Sequence, residues 1–215
     1  LKAFASDWVD RHGDFRPPAA KQGTGIKVAV IGSGPAGLSC AYFLALKGHT
    51  VTVFESAPVP GGLLVAAIPD YRLARRIVAR EVEMISSLGV EIRTQAPVKQ
   101  ILVRAGRAAG VLLESGEEVL ADIVISNVGL ERTIILAGAD KFGDQYLKTA
   151  KNLSYSNPYL TVKYALDYPV IHYPVVFYMP DIPADHVFDY VRHQRVPEDP
   201  YIFIPVPSNM DPSLA

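Results

Sequence analysis

The sequence predicts an α/β fold, in which a parallel sheet with covering helices continues into a β-meander and a smaller antiparallel β region follows. Three observations support this prediction. Residues 26–55 follow the order strand, helix, strand, which is that of a βαβ unit. Over residues 98–126 the pattern changes to short strands separated by Gly-containing turns. Beyond residue 140 the chain is rich in Tyr and Pro and carries further apolar segments of strand length.

The βαβ unit begins with a short β-rich segment at 26–31, whose composition predicts a strand buried on both faces. A turn at 32–37 leads to a predicted helix at 38–47, which ends at Gly48. The second strand is predicted at 50–55. Such a unit implies a parallel sheet with a right-handed crossover.

The segments that follow extend this sheet and then form the meander. Apolar residues recur at helical spacing over residues 72–88, and we expect a third strand at 90–93. Turns at 105–106 and 115–116 separate the meander strands. The meander strands and the apolar strand after them are predicted at 98–103, 109–114, 118–120 and 122–126.

The last region is predicted to form an antiparallel sheet with one short helix at 185–192. Its strands are expected at 159–166, 171–179 and 201–206. These patterns divide the chain into three parts. They are a lead-in at 1–22, a first domain at 23–140 and an antiparallel β region of substrate-binding type at 141–215.

Three glycines directly after the first strand form the pattern G-x-G-x-x-G. Gly32 permits the tight turn, Gly34 lets a pyrophosphate approach the backbone, and Gly37 allows the helix to pack closely on the strand. The N–H groups at the helix start then face the anionic phosphates. Because a strand precedes the pattern and a helix follows it, the sequence predicts a dinucleotide-binding loop in a Rossmann-like domain.

An acidic residue, Glu55, ends the second strand eighteen residues after the last glycine of the loop. Its carboxylate is suited to accept hydrogen bonds from ribose hydroxyls and repels a 2′-phosphate, which disfavours NADP. FAD and NAD both fit this pattern. The Gly61-Gly62 pair, which lets the chain pass near a cofactor, and the meander in place of a second βαβ half both favour FAD.

Several stretches carry a family resemblance: VAVIGSGPAGL at 28–38, VFE at 53–55, PGGLL at 60–64 and IPDYRL at 68–73. Through them, residues 26–95 resemble the FAD-binding segment of the glutamate synthase small-subunit family, including its dihydropyrimidine dehydrogenase relatives. Residues 98–215 instead resemble the phytoene desaturase and amine-oxidase-like flavoproteins. That second resemblance rests on Val98, Ile101, Gly110-Val111, Gly116-Glu117, Ala121-Asp122, Ser126-Asn127, Pro207-Ser208 and Asp211-Pro212-Ser213.

The resemblance implies a role for each matching position. The three loop glycines hold the FAD pyrophosphate, Glu55 holds the adenosine ribose, and Gly62 lines the cofactor. Val98 contacts adenine through its backbone, and Ser126 and Asn127 lie where the last strand returns to the dinucleotide. The expected cofactor-binding set is Gly32, Ser33, Gly34, Pro35, Ala36, Gly37, Glu55, Ser56, Gly61, Gly62, Leu63, Arg72, Val98 and Asn127.

The implied activity is that of an FAD-dependent oxidoreductase, in which hydride passes between a small-molecule substrate and the flavin. We assign no catalytic acid or base. Val65-Ala66-Ala67 and Ala74 depart from the first family, which has small or glycine residues and usually Pro there. The second family carries a glycine-rich segment beside the flavin ring that does not occur before Ala215. We therefore expect another subunit, or further chain, to complete the flavin site.

Three other functions stay open beside this one. The chain fits a non-catalytic flavin-binding or electron-transfer subunit of a complex, an NAD-binding dehydrogenase, or a scaffold that has lost its cofactor. The intact glycine pattern and Glu55 argue against the last of these. Missing second-half βαβ repeats argue against the NAD-binding dehydrogenase.

The remaining composition points to no other chemistry. A net charge of −1 predicts no nucleic-acid partner, and no apolar run approaches the roughly 18 residues of a membrane span. The single Cys40 excludes an intrachain disulfide, and we expect it to be an inert buried thiol in a cytoplasmic protein. His186, Asp189 and His193 have helical spacing, but we interpret them as a solvated face and expect no metal site.

Overall fold

In the computed structural model of the chain, the described residues are 8, 9, 12, 17–153, 162, 166–168, 170–181, 189, 190, 193, 195–206 and 209. The chain divides into two compact units, Leu1–Lys151 and Asn152–Ala215. The division predicted from the sequence, after residue 140, stays a prediction.

A four-stranded parallel sheet forms the centre of the first unit, in the order β3-β2-β1-β7. β1 (Lys27–Ile31) lies between β2 (Thr50–Phe54) and β7 (Ile123–Ser126), and β3 (Glu91–Arg93) extends the sheet beyond β2. Four of the five residues of β1 are buried. The prediction of a central strand covered on both faces is therefore confirmed.

Helices cover one face of this sheet. α1 (Pro35–Leu46) and α3 (Arg75–Ser87) pack there, and the short α2 (Leu63–Ala66) lies in the connection after β2. Valine side chains of β1 and β2 meet leucine, alanine and isoleucine side chains of the helices. The buried residues of this first cluster are Val28, Val30, Leu38, Ala41, Ala45, Val51, Val53, Ile85 and Val90.

The meander covers the other face of the sheet. β4 (Val98–Arg104), β5 (Arg107–Leu113) and β6 (Glu118–Leu120) pair antiparallel, and α4 (Leu130–Ala137) packs beside them. Successive residues of a strand point to opposite faces. Because Val28 and Val30 of β1 face the helices, Ala29 between them faces this layer. The buried residues of this second cluster are Ala29, Ile31, Phe54, Ala96, Ile101, Val111, Leu113, Leu136 and Ala137. The three layers confirm the predicted α/β class.

The starts of two helices differ from the prediction by three residues each, and their ends differ by one. α1 begins at Pro35 rather than at residue 38, because Pro fits the first helical position, where its missing N–H costs nothing. α3 begins at Arg75 rather than at residue 72. Asp70 Oδ1 accepts a hydrogen bond from the Arg75 backbone N–H at 2.9 Å, and Ala74 is extended, so the helix starts after both.

Several short helices were not predicted. Besides α2 and α4, they are a 3-10 helix at Ala139–Lys141 and α5 at Asp144–Lys151. α4 lies between Gly129 and Gly138, both at positive φ, which marks its ends sharply. Eight residues give barely two turns of periodicity, so the apolar pattern alone does not separate such a helix from a strand.

The described part of the second unit contains an antiparallel ribbon of β8 (Val175–Tyr178) and β9 (Ile202–Pro205). Phe177 lies opposite Phe203, with ring centroids 4.7 Å apart. The strands predicted at 171–179 and 201–206 are therefore confirmed in shortened form. Most of the predicted strand at 159–166 and of the predicted helix at 185–192 lies outside the described residues. No helix in the described part of the chain has the length and apolar character that a membrane crossing needs.

Candidate dinucleotide-binding site

The predicted site residues come together at the carboxyl-terminal edge of the parallel sheet. Gly32 follows β1, Glu55 follows β2, and Asn127 follows β7. A Cβ atom built at Gly32 lies 3.6 Å from Val128 Cγ1, so the chain after β7 passes directly beside the glycine loop, residues 32–37. Ligands of open α/β sheets bind at this edge.

Glycine is suited to each of the three positions of the loop for a different structural reason. Gly32 has φ +94°, which permits the tight turn after β1. Its N–H donates to the Phe54 carbonyl at 2.8 Å and so continues the pairing of β1 with β2. A Cβ at Gly37 lies 2.0 Å from the Gly32 carbonyl oxygen, so only glycine allows α1 to approach so closely. Apart from its chain neighbours, no atom of the described structure lies within 4 Å of a Cβ built at Gly34. Gly34 therefore faces open space.

The start of α1 is available to an anion. Pro35 and Ala36 are exposed. In this described segment, no side chain caps the helix start and no acidic residue lies in its first turn. No carboxylate of the helix therefore neutralises the positive end of the helix dipole. None accepts hydrogen bonds from the backbone N–H groups that follow Pro35. This edge suits a pyrophosphate better than a cation.

Glu55 is a buried carboxylate with 7% of its surface exposed. Its Oε2 accepts hydrogen bonds from the Ser33 N–H at 2.9 Å and from the Ser33 hydroxyl at 2.5 Å. Its Oε1 accepts bonds from the Ala57 N–H at 2.8 Å and the Ser56 hydroxyl at 3.2 Å. Burial alone raises the pKa of Glu55, but these donors outweigh it and hold that pKa below its usual range. The side chain is therefore an ionised acceptor at neutral pH.

The Gly61-Gly62 pair lies against the glycine loop. The Gly61 N–H donates to both the Ser33 carbonyl and the Ser33 hydroxyl at 3.1 Å. Gly62 has φ +54°, and a Cβ there lies 2.8 Å from Gly34 Cα. The structure thus places the paired glycines within contact distance of the loop, 28 positions earlier in the chain.

The other predicted cofactor-binding residues surround this centre. Leu63 begins α2 with 71% of its surface exposed, and Arg72 is exposed in the turn before α3. Val98 is half-buried at the start of β4, and Asn127 is exposed. Their contacts with a cofactor stay predictions, as do those of Pro35, Ala36, Ser56 and the loop glycines.

Two features of the site were missed in the sequence. Ser126 and Thr133 join their hydroxyls at 2.8 Å, and the Thr133 hydroxyl also donates to the Gly129 carbonyl at 2.8 Å, which fixes the turn after β7. Arg75 donates from Nη1 to the Leu64 carbonyl at 2.9 Å and so ties α2 to α3. Gly129 before a helix that contains Thr133 was the available sequence signal for the turn after β7. The bond from Arg75 to Leu64 leaves no local pattern in the sequence.

The other candidate residues are Cys40 on α1 and the histidines of the second unit. Cys40 is half-buried rather than buried as expected, and burial raises the pKa of its thiol, which fits the expectation of an inert side chain. His193 Nδ1 lies 2.7 Å from the Asp189 carbonyl oxygen, whereas His186 lies outside the described residues. Within the described residues, no three His, Cys, Asp or Glu side chains form a group that could hold a metal ion.

Together, the parallel sheet, the glycine loop and the acid after β2 define a Rossmann-like dinucleotide-binding domain. The family model described as "NAD(P)-binding Rossmann-like domain" matches residues 30–78. This range contains the glycine loop, Glu55 and the paired glycines.

The chain is also similar to parts of known oxidoreductase subunits. It is 32% identical to the glutamate synthase [NADPH] small chain of Bacillus subtilis over 163 residues, which cover 75% of this chain and 28% of that one. It is 44% identical to the NADPH-Fe(3+) oxidoreductase subunit beta of Geobacter sulfurreducens over 94 residues, covering 43% of this chain and 14% of that one. The alignments thus span between a seventh and a third of these relatives' lengths.

A solved structure supports the fold. The structure of a Pyrococcus furiosus protein superimposes with a TM-score of 0.51 at 16% identity, covering 61% of this chain and 66% of that one. The resemblance to the glutamate synthase small-subunit family is confirmed by the Bacillus subtilis match. The resemblance of residues 98–215 to phytoene desaturase and amine-oxidase-like flavoproteins stays a prediction.

Proposed function

We propose that this chain is the FAD-binding portion of an oxidoreductase that passes hydride between a small organic substrate and the flavin. The observation that carries the choice of FAD is the meander, β4 to β6, on the sheet face opposite α1. An NAD domain continues at this point with a second βαβ half. The oxidoreductase class is supported by the relatives, whose names describe oxidoreductase subunits.

The residues present fit the ADP half of such a cofactor. Gly34, which faces open space, and the start of α1 provide the place for the pyrophosphate. Glu55 provides an ionised acceptor for the adenosine ribose and disfavours a 2′-phosphate. When bound, FAD supplies the hydride chemistry, and the chain supplies orientation and electrostatics.

Assembly with a partner is part of the proposal. The relatives are named as a subunit and a small chain, which supports a complex in which another polypeptide contributes to the flavin site. Within that complex the chain serves either as the catalytic flavin domain or as an electron-transfer subunit. We place this assembly in the cytoplasm, a reducing compartment that the free thiol of Cys40 fits.

A second candidate, an NAD(P)-binding dehydrogenase domain, is favoured by the description of the matching family model. Titration of the purified chain with FAD, NAD⁺ and NADP⁺ by calorimetry separates the two. We expect FAD to bind with one site per chain and both nicotinamide dinucleotides to bind far more weakly. Tighter binding of NAD⁺ than of FAD contradicts the choice of cofactor, whereas anaerobic bleaching of bound FAD by an added electron donor supports the oxidoreductase role.

A further inference from the structure

Ser33 carries a polar side chain that is fully buried within the glycine loop. It is 0% exposed, whereas Pro35 and Ala36 of the same loop are exposed. A fully buried hydroxyl does not reach a bound dinucleotide directly. Any effect of this side chain on the ligand therefore passes through the groups that it contacts.

Those contacts join three segments of the chain. The Ser33 hydroxyl donates to Glu55 Oε2 at 2.5 Å and accepts the Gly61 N–H at 3.1 Å. The Ser33 backbone N–H donates to the same carboxylate oxygen at 2.9 Å. One side chain thereby links the glycine loop after β1, the acid after β2 and the paired glycines.

The surroundings of Glu55 leave little else to hold it. Its other donors are the Ala57 N–H and the Ser56 hydroxyl, both within two residues of Glu55 itself. Arg93, on the neighbouring β3, directs its guanidinium to Glu117 at 2.6 and 2.9 Å. Among the hydrogen bonds that the described residues make to this carboxylate, those from Ser33 alone come from another segment.

We propose that Ser33 is a positioning residue, which aims the Glu55 carboxylate at the ribose and couples it to the Gly61-Gly62 pair without touching the cofactor. This inference rests on the proposed dinucleotide function. It assigns Ser33, expected from the sequence to bind the cofactor, an indirect role instead.

The test measures ADP affinity against pH by calorimetry for the intact chain and its variants. ADP carries the ribose and pyrophosphate but no flavin. Removal of the hydroxyl in Ser33→Ala leaves burial of Glu55 less compensated, so its pKa rises. We expect ADP binding about tenfold weaker at neutral pH. We also expect the loss of binding on acidification to begin at higher pH than in the wild type.

Three further variants separate positioning from general damage. Ser33→Cys keeps a weak donor and should recover part of the affinity. Ser56→Ala removes an exposed hydroxyl that donates to the same carboxylate at 3.2 Å. It should shift the pH at which ADP binding is lost by less than Ser33→Ala does. Ser87→Ala, at an exposed hydroxyl that bonds the Met84 carbonyl at the far end of α3, should match the wild type.

An unchanged pH profile in Ser33→Ala overturns the proposal. If that variant does not fold, the profile of Ser33→Cys decides in the same way. Failure of the wild type to bind ADP or FAD refutes the proposed function rather than the role of Ser33. In that case the titration of the Glu55 carboxyl, followed by NMR without ligand, still decides: an unshifted titration in the Ser33 variant overturns the coupling.

Discussion

At the residue scale, the site depends on a carboxylate that stays ionised although it is buried. Glu55 retains its charge because four donors, two of them from Ser33, replace the water that it loses. The glycines serve a different purpose, since they keep backbone atoms close together or leave space free. Gly37 permits close packing, whereas Gly34 leaves open space at the start of α1. Charge and empty space together make this edge suitable for a dinucleotide.

The buried charge predicts a pH-dependent contribution to stability. The folded pKa of Glu55 is lowered, so its contribution is present above the unfolded value of about 4.3 and is lost as the pH falls through the folded value. We expect Glu55→Gln to reduce the free energy of unfolding by about 2 kcal/mol at pH 7. Urea unfolding at pH 3 to 8 should show the difference shrinking at acidic pH. A difference that is constant over this range contradicts the prediction.

Alanine substitutions at Gly37 and Gly34 are predicted to differ in their effect on stability. Gly37→Ala places its Cβ 2.0 Å from the Gly32 carbonyl oxygen, and we expect it to cost about 2 kcal/mol of stability. Gly34→Ala meets no atom at φ −66°, so its stability should stay within about 0.5 kcal/mol of the wild type. Thermal unfolding and FAD titration check both variants. FAD binding should be lost in both, and retention in Gly34→Ala would place the pyrophosphate elsewhere.

At the element scale, β1 supports the site because its two faces bury different layers. Val28 and Val30 face the helices, whereas Ala29 and Ile31 face the meander. Short connections then present the strand ends at one edge. The position of the glycine loop is consequently fixed by packing on both sides of the sheet.

The meander layer predicts a strong effect of one core substitution. Val111 of β5 is 0% exposed, so Val111→Ala should cost about 2 kcal/mol through lost burial and an unfilled cavity. Val59→Ala makes the same chemical change at a side chain that is 54% exposed and should stay within about 0.5 kcal/mol of the wild type. Chemical denaturation of both variants provides the comparison. Equal costs would show that the meander is not packed on the sheet as described.

The sequence predicted the elements whose signals are local. The βαβ unit, the glycine loop and the meander are marked by periodicity and turn residues within short windows. The start of α3 was predicted too early, because its cap depends on the Asp70 carboxylate and the Arg75 N–H. The bonds from Ser33 to Glu55 were not predictable, since they join residues 22 positions apart whose meeting requires the folded sheet.

At the scale of the whole molecule, the described site belongs to the first unit. The sheet, both apolar clusters and the glycine loop lie within Leu1–Lys151. Arg93 and Glu117 add a bidentate pair between β3 and the turn before β6, and Arg93 also lies 5.6 Å from the centroid of the Phe54 ring. The first unit thus contains the contacts that hold the site.

This organisation predicts that a fragment ending at Lys151 unfolds cooperatively and binds FAD as the full chain does. A fragment ending at Gly129 serves as the control. It lacks α4, whose Leu136 and Ala137 are buried against the meander, and should lose cooperative unfolding. Calorimetric unfolding with and without FAD checks both. Loss of cooperative unfolding in the longer fragment would show that the first unit depends on the second.

The central claim is a dinucleotide site for FAD at the edge formed by the glycine loop and Glu55. Equilibrium dialysis of the intact chain with FAD, beside Gly34→Ala, tests it most directly. The account predicts one bound FAD per wild-type chain, seen by its flavin absorbance and released from the protein by denaturation. It predicts no bound FAD in the variant, although the variant unfolds as the wild type does. A wild-type chain that takes up no FAD, or a variant that binds it equally well, contradicts the claim.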